Sequence, residues 1–226
     1  MSETYYHIMN ITIWIHIIYG LKRQNDLRSF VFERYIDNNK MEITEKLLTT
    51  SRKQWQDWLV ENHSIKREIW ISTTKSPDGL QYIDAVEEAL CFGWIDSTIK
   101  AGEGVMWRRF SPRRKRSPWT ELNKERCRRL ERLGLMTDAG RAVLPNMDFQ
   151  IDDDILTALQ SDGIVWQNFQ ALPPLYVRVR IDNIQNIRKR DHEAFQRRLQ
   201  KFIDNTRNGI MYGEWHDNGR LLSDNN

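Results

Sequence analysis

From Ser51 onward the apolar residues recur with the period of a helix. Trp55, Trp58 and Leu59 stand at i, i+3 and i+4 behind Ser51, a residue suited to the N-cap, and Asn62-His63 closes the segment. Glu68 to Thr73 is rich in β-formers and runs into the turn Ser76-Pro77-Asp78-Gly79, so it predicts a strand. Tyr82, Ala85, Val86, Ala89 and Leu90 trace one face of a second helix, which Gly93 ends in a left-handed turn. Between Trp94 and Lys100 the period changes to two, with Ile95 and Ile99 on one side and Trp94, Asp96 and Thr98 on the other. Ala101-Gly102-Glu103-Gly104 predicts a hairpin turn, returning as a strand from Val105 to Phe110. Ser117 as N-cap and Pro118 in the first turn start a helix that directs Trp119, Leu122, Cys127, Leu130 and Leu133 inward and stops at Gly134. A shorter helix runs from Thr137 to before Pro145.

Asp148 and Asp152-Asp153-Asp154 mark an acidic joint, after which the pattern is helical: Ile155 to Gln160, Leu175 to Ile187 behind Pro173-Pro174, and Asp191 to Thr206. Asp191 caps the last of these, and Phe195, Leu199, Phe202 and Ile203 form its apolar face. The fold class this predicts is α+β: a small antiparallel sheet from residues 68–73, 94–100 and 105–111, packed with helices and followed by a helical C-terminal segment. Four regions follow: an N-terminal extension over 1–43, an α+β core over 44–147, the helical segment over 148–212, and a tail over 213–226 expected to be frayed.

The extension changes the picture least. Ile8 to Tyr19 is apolar but broken by Asn10, Thr12 and His16, and is shorter than the ~20 residues a membrane span needs. Its basic residues, Lys22 and Arg23, follow the apolar run instead of preceding it, and no small-residue cleavage site comes after, so it fits a signal peptide poorly. The texture shifts at Met41, which is the expected start of the functional protein. With two isolated cysteines, Cys91 and Cys127, and no Cys/His cluster, the sequence predicts no metal site, no cofactor and a reducing, cytoplasmic setting.

Charge is focused, not spread. Between Trp107 and Arg132 eleven Lys/Arg face three Glu, a local excess of eight against +3 for the whole chain. Interleaved with Trp107, Phe110 and Trp119, this block has the composition of a nucleic-acid surface; equally it has that of a solvated helix face with structural arginine–tryptophan packing. No catalytic set is assembled: the chain has no Gly-x-Ser-x-Gly and no P-loop, and Gln196 stands where a zinc helix starting at His192 needs its second histidine. An enzyme acting on a small anionic substrate is a further reading. The spacing instead predicts a concavity between the hairpin and the helix at Ser117, where Trp94, Asp96, Arg109, Arg113, Arg114, Ser117, Trp119 and Asn123 converge on a small anionic ligand or a protein partner. The competing reading makes Asp96 with Arg113 or Arg114 a buried ion pair that only holds the hairpin to the helix.

A family resemblance enters through the same run. Ala89-Leu90-Cys91-Phe92-Gly93-Trp94-Ile95-Asp96-Ser97, then Arg109-Phe110-Ser111-Pro112-Arg113-Arg114, Ser117, Trp119 and Asn123, resemble the signature of the YdeI/OmpD-associated, or bacteriocin-protection, family. Leu172-Pro173, Ile181, Ile184 and Arg197-Arg198-Leu199 look like its terminal helical segment, although Ile187 to Glu193 departs from the usual pattern there. The resemblance implies a bacterial binding protein that protects against bacteriocins or antimicrobial stress, with no agreed reaction.

Overall fold

The Ser51 side chain accepts the backbone N–H of Gln54 at 3.2 Å, and helix α1 (Arg52–Asn62) follows it. The structure is a computed structural model; it describes residues 42–222 apart from 75, 77, 103, 104 and 116. The Ile8–Tyr19 run and the expected start at Met41 therefore lie outside the described residues, as do Glu103 and Gly104 of the expected hairpin turn. The chain divides into a unit of Met1–Ile43 and one of Thr44–Asn226, and every element below belongs to the second.

The three expected strands are present as β2 (Ile69–Ser72), β3 (Trp94–Gly102) and β4 (Val105–Pro112), with β4 in the middle and both of its partners antiparallel. A fourth strand, β1 (Lys46–Leu47), pairs parallel with β2, so the sheet is mixed and its order is β1-β2-β4-β3. Two residues carry no legible period, which is why β1 has no trace in the sequence. Pairing of β3 with β4 slips between Asp96 and Ile99. The alternation read from Trp94 holds only as far as this bulge, and Ile99 emerges 42% exposed.

Helix α2 (Tyr82–Cys91) lays its apolar face on the sheet and ends at Gly93, whose φ of +73° is the left-handed turn its position predicts. Helix α3 (Glu121–Arg132) corrects the expected start at Ser117. Its N-cap is Thr120, which accepts from Asn123 N–H at 3.2 Å. A helix beginning at Pro118 would need the Pro118 carbonyl for its first turn, but the Arg113 Nη2 donates to that oxygen at 2.7 Å. Trp119 therefore sits before the helix, and Leu133, expected inside, is exposed behind it.

After α4 (Asp138–Arg141), four helices make the C-terminal segment: α5 (Asp153–Gln160), α6 (Gly163–Ala171), α7 (Pro174–Gln185) and α8 (His192–Arg207). Helix α6 was not anticipated, because Ser161-Asp162-Gly163 reads as a loop. Asp162 instead caps it, accepting from Ile164 and Val165, and Val165 and Phe169 at i, i+4 are its buried contacts. Among the described residues no helix is long and apolar enough to cross a membrane.

Two apolar cores result. One joins α1, α2 and the sheet around Trp55, Val86, Leu90 and Phe110; the other joins α5 to α8 around Ile155, Tyr176, Ile181 and Phe202. Helix α3 is the wall between them, sending Cys127 and Leu130 into the first and Leu122 toward the second.

The tail is a second correction. Residues 213–222 are not frayed: Trp215 and Leu221 are buried in the second core, and Arg220 reaches α2. Isolated apolar residues at no regular spacing give the sequence no periodic signal, so this docking was not legible. Arg220 joins a buried network in which Glu87, fully buried, accepts from Arg52 of α1, Arg129 of α3 and Arg220, while Asp84 and Glu88 share Arg52. Three elements beside α2 are thus tied to one carboxylate.

Two substitutions measure these ties. Glu87→Gln leaves three guanidinium groups short of a buried counter-charge and should lower unfolding stability by about 3–5 kcal/mol in urea titration. Trp215→Ala should cost about 3–5 kcal/mol by cavity formation in the same assay; an unchanged midpoint would mean the tail does not stay docked.

Candidate functional site

The alternation of β4 decides which arginines share a face. Phe110 points into the first core, so Arg108 shares its side and lies 4.0 Å from the Tyr82 ring of α2. Arg109 points the other way. It holds Glu68, with Nε to Oε2 at 2.8 Å, and donates to Ser97 at 3.1 Å. The structure therefore removes Arg109 from the expected cluster. Trp94 is adjacent to the site but serves the core: its ring N–H donates to the His63 carbonyl at 3.1 Å and its edge meets Trp58. Arg114 is exposed, and its carbonyl accepts from Ser117 N–H in a turn, so Ser117 neither caps a helix nor offers one's amides.

Four of the eight expected residues converge, with others the sequence did not disclose. Asp96, paired across the sheet with Phe110, accepts from the Tyr82 hydroxyl at 3.1 Å. It makes no ion pair with Arg113 or Arg114 among the described residues, so the ion-pair reading of the hairpin does not hold. Arg113 is only 8% exposed, and its guanidinium lies 3.6 Å from the centre of the Trp119 ring. Asn123, one turn into α3, accepts from Arg126 at 2.6 Å. Arg126 also grips Asp217 through both carboxylate oxygens, at 2.7 and 2.8 Å, with both side chains buried. Tyr82, Arg108, Arg126 and Asp217 are the members sequence reasoning missed. Arg126 was visible in the basic block, but its partner stands 91 positions away in a tail expected to be frayed.

The electrostatics separate two kinds of arginine. Burial opposes the charge of Arg126, and the Asp217 carboxylate more than restores it, raising its pKa above the ordinary value. Arg113 has no such partner. Burial holds it below the ordinary arginine value, with only the distant fields of Cys127 and Asp96 opposing, and its buried Nε has no hydrogen bond. Burial, with Asp96 beside it, pushes the Tyr82 phenol up to about 12. The Cys91 and Cys127 thiols are likewise pushed up to about 12 by burial, so both are protonated at neutral pH. Among the described residues no His, Cys, Asp and Glu group is arranged to hold a metal ion.

The rest of the basic block is partly compensated. Lys124 meets Glu121, Arg128 meets Glu125, and Arg129 meets Glu87, in addition to the Arg109–Glu68 and Arg126–Asp217 pairs. Arg178 of α7 adds a bond to Glu125, and Asp182 of α7 accepts the Glu121 N–H at the start of α3. Of the excess of eight read along the chain, three charges are met from outside the block, by Glu68 before β2, Glu87 of α2 and Asp217 of the tail.

Tyr82 gives this geometry a pH signature. The folded phenol ionises about two units above its ordinary value of 10, so between those values the folded chain keeps a proton that the unfolded chain has lost. The stability Tyr82 contributes is complete below pH 10 and is lost as pH rises toward 12. Urea midpoints should therefore fall more steeply above pH 10 in the parent than in Tyr82→Phe; parallel curves would place the phenol in water.

Comparison with known proteins gives two matches. Residues 47–143 match the profile of a domain of unknown function (DUF8412). Residues 148–209 match the profile described as bacteriocin-protection, YdeI or OmpD-associated. No curated protein and no solved structure matches the chain. The run from Ala89 to Asn123 that carried the resemblance lies in the first of these regions, and the terminal helical segment in the second. Residues 148–209 thus match the model of the bacteriocin-protection, YdeI or OmpD-associated family, the family the sequence resembles.

Proposed function

We propose that the chain is a non-catalytic binding and stress-protection protein of the bacteriocin-protection type, working in the cytoplasm and taking a small anionic ligand between the β3–β4 hairpin and the start of α3. Arg113 carries this reading. A guanidinium taken out of water without a counter-charge is costly, and the other buried arginine of the basic block, Arg126, has the Asp217 carboxylate. Arg113 has instead a neutral carbonyl, an unmet N–H and the face of Trp119. An anion beside Trp119 would supply the missing charge, and Asp96, held by a phenol and not by an arginine, would receive a donor on the ligand's far edge.

Nucleic-acid binding through residues 107–132 remains the alternative reading, and the carboxylates paired with Arg109, Lys124, Arg126, Arg128 and Arg129 weigh against it. Each of those cations would have to exchange an existing partner for a phosphate.

Deleting the gene and restoring it with Arg113→Gln, followed by challenge with a panel of antimicrobial peptides, tests the proposal. A ligand-binding arginine without a counter-charge predicts that the variant melts no lower than the parent while protection falls to the deletion level. Protection retained together with a melting point several degrees lower would make Arg113 structural, and unchanged survival of the deletion strain would remove the protective role.

A further inference from the structure

A second group of cations lies on the C-terminal segment, away from Arg113. Arg180 of α7 has its guanidinium 5.6 Å from the centre of the Tyr212 ring, and the Lys201 ammonium of α8 is 4.8 Å from the same centre. Arg198, one turn before Lys201 on α8, reaches across to α7, one turn beyond Arg180, where it meets the Asn183 carbonyl. Burial, with Tyr176 beside it, raises the Tyr212 phenol, and Arg180 and Arg198 oppose the shift.

What sets these three apart is how they are held. Among the described residues none has a carboxylate within salt-bridge distance. Arg180 donates instead to the Glu214 carbonyl at 2.6 Å, and Arg198 to the Asn183 carbonyl at 2.7 Å. A carbonyl fixes a guanidinium in place and leaves its unit charge uncancelled. Of the acids on these helices, Asp182 accepts the first N–H of α3, Asp204 accepts from Gln200 and Arg207, and Glu193 pairs with Arg197; Glu214 meets Arg180 through its carbonyl and, among the described residues, makes no ion pair with these three cations.

The backbone is shaped around Arg180. Gly213 has φ of +70°, and a Cβ placed there would come 2.6 Å from Arg180 Nη1. Glycine adopts that conformation easily, and the guanidinium lies against the backbone there. The Nε of Arg180 is buried without a partner. An arginine oriented by a neutral carbonyl is held in place with its charge left for an anion.

We propose that Arg180, Arg198 and Lys201 form a phosphate-group site beside Tyr212, on the segment of residues 148–209 and distinct from the site at Arg113. Three donors bearing three positive charges suit a phosphate, whose oxygens accept several charge-assisted hydrogen bonds at once. The group could be free in solution or carried on a lipid, and the test separates these.

Calorimetric titration of the full chain with inorganic phosphate at low salt reads the site directly, alongside flotation with phosphatidic acid vesicles and phosphatidylcholine controls. Arg198 and Lys201 are exposed, so Arg198→Gln and Lys201→Gln should leave the fold intact by circular dichroism. Each should weaken phosphate binding by roughly tenfold, the scale of one charge-assisted hydrogen bond. Arg197→Gln, on the same helix but paired with Glu193, makes the same change in charge and should leave binding unchanged. Binding in both arms that is lost in Arg198→Gln supports a phosphate site that also accepts a lipid headgroup; binding of phosphate alone supports a soluble ligand, and of vesicles alone a headgroup. No binding in either arm, or equal weakening in all three variants, overturns the proposal.

Discussion

A helix in which eight of twelve residues are charged stands between two apolar cores. That is the constraint to which the rest of the structure answers. Helix α3 cannot turn all of those charges to water, so its neighbours supply counter-charges: α2 gives Glu87 to Arg129, the tail gives Asp217 to Arg126, and α7 gives Arg178 to Glu125. Each contact is also a joint. The carboxylate of Asp182 caps the first turn of α3 and so links the region of residues 47–143 to that of 148–209 by a hydrogen bond as well as by ion pairs. Burial raises the pKa of Asp182, with Glu121 nearby adding to the shift and the Glu121 N–H opposing it. Replacing buried pairs of this kind with apolar side chains is often tolerated, whereas removing one partner is not. The network therefore acts less as a source of net stability than as a rule fixing which elements can meet.

The same network explains what the sequence could and could not disclose. Residues of one element announce themselves through period and caps, so Ser51, Gly93, Thr137 and Asp191 all stand where their types predict. A counter-charge has no such signature. The carboxylates that neutralise Arg109, Arg126 and Arg129 lie 41, 91 and 42 positions away, and a count along residues 107–132 registers none of the three. The site was half legible for the same reason. Asp96, Arg113, Trp119 and Asn123 share a short stretch and converge, whereas Tyr82 and Asp217 arrive from another helix and from a tail without periodicity. The error over Arg109 is of another kind. Strand alternation, applied to Phe110 as a core residue, already places Arg109 on the opposite face.

How an arginine is held separates two classes that matter here. Those facing a carboxylate are structural joints whose field is cancelled within a few ångströms. Those facing a carbonyl keep both position and field. Arg113, on Pro118, and the pair Arg180 and Arg198, on Glu214 and Asn183, belong to the second class. Both readings of this chain as an anion-binding protein rest on that distinction, and they are independent because the residues share no partner.

Within the first site the two classes meet. Arg126 and Arg113 face the same Asp96 field, yet only Arg126 receives a carboxylate. It comes from Asp217, which together with Asn218 holds φ near +50°, a conformation that asparagine and aspartate tolerate better than most residues but still at a cost of about 1 kcal/mol each. A bidentate, buried ion pair is enough to offset that cost. The consequence is a charge balance: Arg108, Arg113 and Arg126 against Asp96 and Asp217 leave one positive charge. On the proposed reading that residue of charge sits at Arg113, beside Trp119, and a single anionic group neutralises it; a polyanion would have to displace Asp217 first, and with it the anchor that keeps the tail against α3.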